Sequence, residues 1–235
     1  MNKGSIYLIP TYLSDGNENS FIADDVKAAI SKIDYYAVEN IRSARRFISS
    51  LNLDLDIAEI NFQKVDKHFR PDEIEEITSS LFEGHDLGIL SESGLPGIAD
   101  PGGLLVEFAH KNEIQVKTLS GSSSIILALI SSGFNGQQFT FHGYLPIDKA
   151  ERSKSIGDLY DKAMRSGYTQ LFMETPYRNQ QMLENLKNKL PSSAMLYVGY
   201  DLTGPLEFSL TKSIKEWREN NIAIPKIPSV FGIGI

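Results

Sequence analysis

Apolar residues recur along this chain in two rhythms. Short uninterrupted or alternating runs predict strands, and apolar positions three and four apart predict helices. Ser5–Pro10 ("SIYLIP") reads as a short buried strand, followed by the turn-rich "SDGNENS". In Asp24–Ile33 the residues Val26, Ala29, Ile30 and Ile33 share one helical face. Tyr35–Val38 reads as strand, Arg42–Leu51 as helix and Ile57–Phe62 as strand. Pro71 and the acids after it suit a helix N-terminus, and Gly84 closes that helix. Asp86–Ser91 ("DLGILS") is a continuous apolar run, as in strands covered on both faces of a parallel sheet. A helix over Leu104–Lys111, a strand over Ile114–Leu119 and a helix ending at Gly133 follow. This alternation predicts an α/β domain with a mostly parallel sheet.

The rhythm changes at Ser132–Gln138 ("SGFNGQQ"), which places a domain boundary between residues 134 and 135. Beyond it come strand "FTFHGYL", helix "AERSKSIGDLYDKAMRSG", strand "YTQLFME" and helix "NQQMLENLKNKL". Strands "SAMLYVGYDL" and "LEFSL", a short helix through Trp217 and a last strand "SVFGIGI" complete the pattern. Adjacent strand pairs in this half, residues 135–235, predict a mixed sheet. The expected fold class is therefore α/β in two domains.

Charge and composition narrow the field. The net charge of −7 makes the bulk field repel nucleic acid, so RNA binding would need a local basic patch. The absence of cysteine excludes disulfides, thiolate nucleophiles and zinc–thiolate sites, and suits a reducing cytoplasm. The apolar run near the start is too short for a secretory signal, and no segment reaches the length of a membrane span. A soluble cytoplasmic protein with no membrane partner is expected.

Two loops carry the candidate chemistry, Glu92–Gly103 and Ser120–Ser124, each after a strand and before a helix. In α/β sheets, ligands bind beyond the carboxyl ends of strands. Neither loop has a Gly-Lys-Ser/Thr or G-x-G-x-x-G pattern, so a neutral or zwitterionic ligand is as well supported as a phosphate. The plainer alternative is a pair of rigid turns with helix caps. Glu92, Asp100, Glu174 and Asp201 lie near strand ends, as ligand contacts or as caps. The four histidines have no H-x-x-x-H spacing, and no G-x-S-x-G elbow occurs, so neither a metal site nor a hydrolase triad is expected. Arg42, Arg45 and Arg46 project to one side of a helix, as a phosphate grip or a solvated face. Asp148–Ser155 is a weaker basic stretch, and in Glu174–Arg178 ("ETPYR") Pro176 is placed to start the next helix.

Taken in order, these stretches resemble the tetrapyrrole (corrin/porphyrin) methylase superfamily. They look most like its branch that methylates a ribose 2′-hydroxyl of small-subunit ribosomal RNA. That branch's S-D-A-G-T-P-G-I-S-D-P-G corresponds to Ser91–Gly102, "SESGLPGIADPG", and its P-G-P-S-A to Ser120–Ser124, "SGSSS". Its G-F-L-P corresponds to Gly143–Pro146, followed by Lys149 and Arg152. Its F-Y-E-S-P-H-R is similar to Phe172–Arg178, "FMETPYR", and its E-L-T-K to Asp201–Gly204, "DLTG". The order and spacing hold over nearly the whole chain. The departures fall in other loops. A-T-P-I-G-N is replaced by "PTYLSDGN", with Tyr12 at the proline position. A-E-D-T-R becomes Val38–Arg42, keeping Glu39 and Arg42, and little of S-Y-H-E-H-N-E survives in "INFQKVDKH".

The resemblance implies a tetrapyrrole methylase fold with an S-adenosylmethionine cleft between the two domains, and commonly a homodimer. Carried over by position, it assigns cofactor contacts to Ser93, Gly94, Leu95 and Ile98, to Ser123 and Ser124, and to Glu174 and Leu202. Tyr12 and Pro228 are further contacts. Glu39 and Asp100 become candidates for base or orienter, and Arg42 for a phosphate or charge contact. Ribosomal RNA is the implied substrate. A small-molecule, tetrapyrrole-like methylase, a non-catalytic cofactor-binding relative and a nucleotide-binding module stand as alternatives.

Overall fold

The computed structural model describes residues 3–14, 22–65, 71–220 and 222–235. The chain separates into two compact units, Met1–Ser123 and Ser124–Ile235. The first contains β1 (Ile6–Ile9), α1 (Asp24–Ile30), β2 (Tyr35–Val38), α2 (Ile41–Ser50), β3 (Asn61–Lys64), α3 (Pro71–Phe82), β4 (Leu87–Leu90), α4 (Gly102–Lys111) and β5 (Val116–Thr118). The second contains α5 (Ser124–Ser132), β6 (Phe139–Tyr144), α6 (Lys149–Ser166), β7 (Thr169–Glu174), α7 (Asn179–Lys189), β8 (Met195–Tyr200), β9 (Phe208–Ser213), α8 (Ile214–Glu219) and β10 (Ser229–Gly234).

The first sheet is parallel throughout, in the order β3-β2-β4-β1-β5. Side-chain alternation along each strand feeds two cores. Ile9, Tyr36, Val38 and Leu90 pack with Val26 and Ile30 of α1 and Phe47 and Ile48 of α2. Ile6, Ala37, Leu87 and Ile89 pack with Ile77 and Leu81 of α3 and Leu105 and Ala109 of α4. Helices thus cover both faces, which is why β4 is buried at every position, as its continuous apolar run predicts. Chain order sets the ligand geometry. β1 leads across β4 to β2, whereas β4 leads across β1 to β5. Neighbouring strands whose connections depart in opposite directions leave a crevice at their carboxyl ends.

The second sheet has the order β6-β7-β10-β8-β9. β6 and β7 are parallel and the remaining pairs antiparallel, so the sheet is mixed. Central β10 is buried along its whole length. Phe172, Leu196, Val198 and Phe231 pack with residues of α6, α7 and α8, among them Ile156, Leu183 and Trp217. Tyr197 and Val230 pack with Ala128 of α5.

Three expectations differ from what forms. The sequence put the domain boundary at 134/135, whereas the compact units divide at Ser123/Ser124. The difference is α5, which packs on the second sheet, and the Oγ of Thr211 donates to the Ser132 carbonyl at 2.7 Å. The strand expected at Ile57–Phe62 begins later, at Asn61. Asp56 Oδ1 accepts from the Ala58 amide at 2.9 Å, and the resulting turn occupies the predicted strand start. Pro176 does not open α7. Residues 175–178 form a turn in which the Arg178 amide donates to the Thr175 carbonyl at 3.0 Å, and the helix starts at Asn179.

Candidate functional site

In the first unit, three loops meet beyond the carboxyl ends of β1, β4 and β5. The loop after β1 and the loop after β4 are joined through their backbones. The Thr11 amide donates to the Gly94 carbonyl at 2.9 Å, and the Gly94 amide to the Tyr12 carbonyl at 3.3 Å. The Ser93 hydroxyl donates to the Leu13 carbonyl at 2.9 Å. Gly94 has φ 74°, a left-handed conformation, and a Cβ there would meet Leu13 Cδ2 and the Ser122 carbonyl oxygen. The loop after β5 closes against both. A Cβ on Gly121 would overlap Pro10 and approach the Leu95 side chain. Tyr12, Ser93, Gly94, Leu95 and the segment leading to buried Ser123 are therefore one cluster. Tyr12 turns its ring edge-on to Phe47 of α2, centroids 5.2 Å apart, and its hydroxyl accepts from Ser50 Oγ at 3.5 Å. Ile98 stands exposed farther along the loop.

No lysine or arginine occurs in Pro10–Ser14, Ser91–Pro101 or Leu119–Ser124, whereas Glu92 and Asp100 do. Such loops suit a ligand carrying positive charge and backbone-readable groups rather than a phosphate.

A second group gathers at the ends of β2 and β4. Glu39 and Asp100 line one small pocket with Ala37, Val38, Pro101 and Leu105. Asp100 Oδ1 accepts from the amides of Gly97 and Gly102, both at 2.8 Å, and Oδ2 from Gly97 at 3.0 Å. This carboxylate folds the loop into the start of α4. Glu39 Oε1 accepts from the Glu92 amide at 3.3 Å. Its carboxyl is pushed above the ordinary glutamate value, chiefly by burial and further by the charges of Asp100 and Glu92, against the opposing pull of the Glu92 amide. Asn40, where the branch motif has Asp, caps α2 by accepting from the Arg42 and Ser43 amides at 3.0 and 3.4 Å. Amide and carboxylate oxygens cap equally well, so this departure leaves the helix start intact. Arg42 is exposed on the first turn of α2, and Arg45 lies over the Phe62 ring at 5.4 Å. Residues 15–21 and 66–70, with the ends of "PTYLSDGN" and "INFQKVDKH", fall outside the described residues.

In the second unit the motif positions share one end of the sheet, because Ser229 of β10 pairs with both Glu174 of β7 and Tyr200 of β8. Glu174 is 2% exposed. Its Oε1 accepts from Arg178 Nε and NH2 at 3.0 and 2.6 Å and from the Thr175 amide at 2.7 Å. Leu202 is buried beside Tyr197 and Val230. Pro228 is exposed, in a segment gripped by the Asn179 side chain, whose Nδ2 donates to the Pro225 and Ile227 carbonyls. Ser124 is the first residue of α5. At Gly204, where the branch has lysine, a Cβ would overlap the Asp201 carboxylate, whose Oδ2 accepts from the Leu206 amide at 2.7 Å.

Sequence reasoning missed two residues. Arg152 reads as a surface base but is 4% exposed, donating from NH1 to the Ile147 carbonyl at 2.7 Å and to that of Pro146 at 3.4 Å. Asn179, the buried clamp, carries no sequence signal beyond following the ETPYR turn.

The matching family model is that of the Tetrapyrrole (Corrin/Porphyrin) Methylases, over residues 28–217. The chain is 30% identical over 220 residues to "Ribosomal RNA small subunit methyltransferase I" of Streptococcus pyogenes serotype M3, covering 94% of this chain and 69% of that protein. It is 29% identical to the protein of that name from Micromonospora olivasterospora, covering 78% of this chain and 55% of the other. Among solved structures, the methyltransferase CobJ aligns with a TM-score of 0.64 at 16% identity, covering 98% of this chain and 94% of that one. Uroporphyrin-III-C-methyltransferase from Thermus thermophilus aligns with a TM-score of 0.54 at 13% identity, covering 99% and 94%. The chain belongs to the tetrapyrrole (corrin/porphyrin) methylase family and is a methyltransferase.

Proposed function

We propose that this methyltransferase acts on a ribose 2′-hydroxyl of small-subunit ribosomal RNA, with S-adenosylmethionine as donor. The observation that carries the substrate is the 30% identity over 94% of this chain to a relative named for small-subunit ribosomal RNA. The loop chemistry supports the donor. Three loops without lysine or arginine converge, two of them bearing glycine, and two acids stand among them. Bound there, S-adenosylmethionine would supply a methyl group already activated by its sulfonium charge. Ser93, Gly94, Leu95, Ile98 and Ser123, with Tyr12 beneath them, are the proposed holding residues of the first unit. Ser124, Glu174, Leu202 and Pro228 are those of the second. The backbone of Gly94 is engaged by residues 11 and 12, so its part is to close the loop, leaving the residues around it to face the ligand.

Glu39 is the proposed proton acceptor for the ribose hydroxyl, because burial raises the proton affinity of its carboxylate above that of an ordinary glutamate. Asp100 acts as a positioning residue, its oxygens accepting the amides of Gly97 and Gly102. Exposed Arg42 is placed to meet a phosphate. Glu39→Gln is expected to lower methyl transfer by about 100-fold or more while leaving S-adenosylhomocysteine binding intact, measured by tritium transfer and calorimetry. Equal turnover in wild type and variant would remove Glu39 from the chemistry. The substrate is tested by mapping 2′-O-methylation of ribosomal RNA in cells with and without the protein, and an identical map would direct attention to small-molecule acceptors.

Pairing into a homodimer, in the cytoplasm, belongs to the same reading. Ile126 and Ile130 on the outer side of α5 are exposed, Ile130 to 70%, and offer an apolar surface for a second copy. Light scattering of the purified protein tests this, and a monomer at micromolar concentration would oppose it.

A further inference from the structure

Tyr177 is the most exposed large aromatic side chain among the described residues, at 84%. Its backbone is nonetheless fixed on both sides. Before it, residues 175–178 form the turn closed by the Arg178 amide and the Thr175 carbonyl. After it, Arg178 is held by two hydrogen bonds to buried Glu174, and Asn179 is anchored in the core. The two carbonyls that Asn179 grips, Pro225 and Ile227, flank Lys226. Lys226 Nζ lies 5.9 Å from the centre of the Tyr177 ring. Two clamped segments thus display an aromatic ring with an ammonium group over one face.

The charges around this pair are engaged elsewhere. Glu174 is paired with Arg178. At the neighbouring strand end, Asp201 accepts from the Leu206 amide and Glu207 from the Thr203 amide. Lys226 forms no ion pair among the described residues. On a chain of net charge −7, an unpaired cation against an open aromatic face is a local reversal of the field. Tyr177 contributes little to any core, so packing does not explain its presentation.

We propose that Tyr177 and Lys226 form a contact for single-stranded RNA, the ring stacking on an unpaired base and the ammonium meeting an adjacent phosphate. Every base offers a π-face, so the contact sets grip and register rather than sequence preference. The inference rests on the RNA reading above and adds to it residues that position the substrate.

The test uses the full chain, tritiated S-adenosylmethionine and small-subunit ribosomal RNA. Tyr177→Ala is expected to raise KM for RNA on the order of tenfold, with kcat little changed. Tyr177→Trp should restore the wild-type KM, which a merely structural tyrosine would not predict. Lys226→Ala should raise KM and flatten the salt dependence of RNA binding by about one unit of slope. Thermal stability and S-adenosylhomocysteine affinity should stay at wild-type values in all three. An active wild type with unchanged KM in Tyr177→Ala and Lys226→Ala overturns the contact while sparing the RNA reading. A wild type that methylates no ribosomal RNA overturns both.

Discussion

At Glu39 a carboxylate must ionise half out of water, with Asp100 and Glu92 close enough to be felt. Its folded-state pKa lies above the unfolded one, so ionisation opposes folding. The sign follows from that shift. Glu39 favours the fold at pH below the ordinary glutamate value, and this contribution is lost as pH rises through the raised folded value. Glu39→Gln keeps the oxygen that accepts from the Glu92 amide and removes the charge. It is therefore expected to unfold at a higher temperature than wild type at neutral pH, the advantage vanishing at about pH 4. Melting curves across that range check this, and a constant difference at all pH values would contradict it. Some of this neighbourhood is legible in the sequence. Glu39 follows a predicted strand, and the helix expected from Arg42 forms, though its Asn40 cap emerges only in the structure. The approach of Asp100 is not legible, because it comes from strand order rather than spacing. Arg152 is the converse case. Its position in a charged stretch reads as solvated, and only the return of residues 146 and 147 past its guanidinium buries it.

Among elements, the turn after β8 joins two substitutions that look independent in the sequence. Asp201 stands where the branch motif has glutamate, and Gly204 where it has lysine. The shorter acid folds into the turn, where it accepts from the Leu206 amide and fills the space any Cβ at 204 would need. Gly204→Ala is expected to destabilise the protein by about 1–3 kcal/mol through overpacking. Asp201 has φ 50°, so glycine suits that position, and the cost of Gly204→Ala should shrink in an Asp201→Gly background. A double-mutant cycle by urea unfolding measures the coupling, and strictly additive effects would deny it. Element types and most boundaries follow from periodicity, since apolar spacing is set by which face is covered. The displaced start of β3 shows where that logic ends. Ile57 is apolar enough for a strand, but Asp56 offers the Ala58 amide a local partner. Turn chemistry of this kind overrides a weak strand pattern.

For the molecule as a whole, the two units have separate cores, and α5 belongs with the second. Residues 124–235 contain every strand of the mixed sheet together with the helices packed on it. That fragment is expected to fold alone and unfold cooperatively, as read by circular dichroism, whereas one beginning at residue 135 should be less stable for want of Ala128 and Leu129. Equal stability of the two fragments would return the boundary to the change of rhythm near Ser132. The fold class was readable because alternating elements leave few arrangements. The boundary was not, because a helix with apolar residues around much of its surface can serve either neighbour. The bonds between the loops after β1 and β4 have a consequence of a different kind. Residues some eighty positions apart in sequence are stitched together by hydrogen bonds made wholly within the protein. An arriving ligand therefore need not freeze a wandering loop, and the entropy of ordering it has been met during folding. The Thr11 and Gly94 amides should exchange with deuterium slowly in the free protein and hardly more slowly when it is saturated.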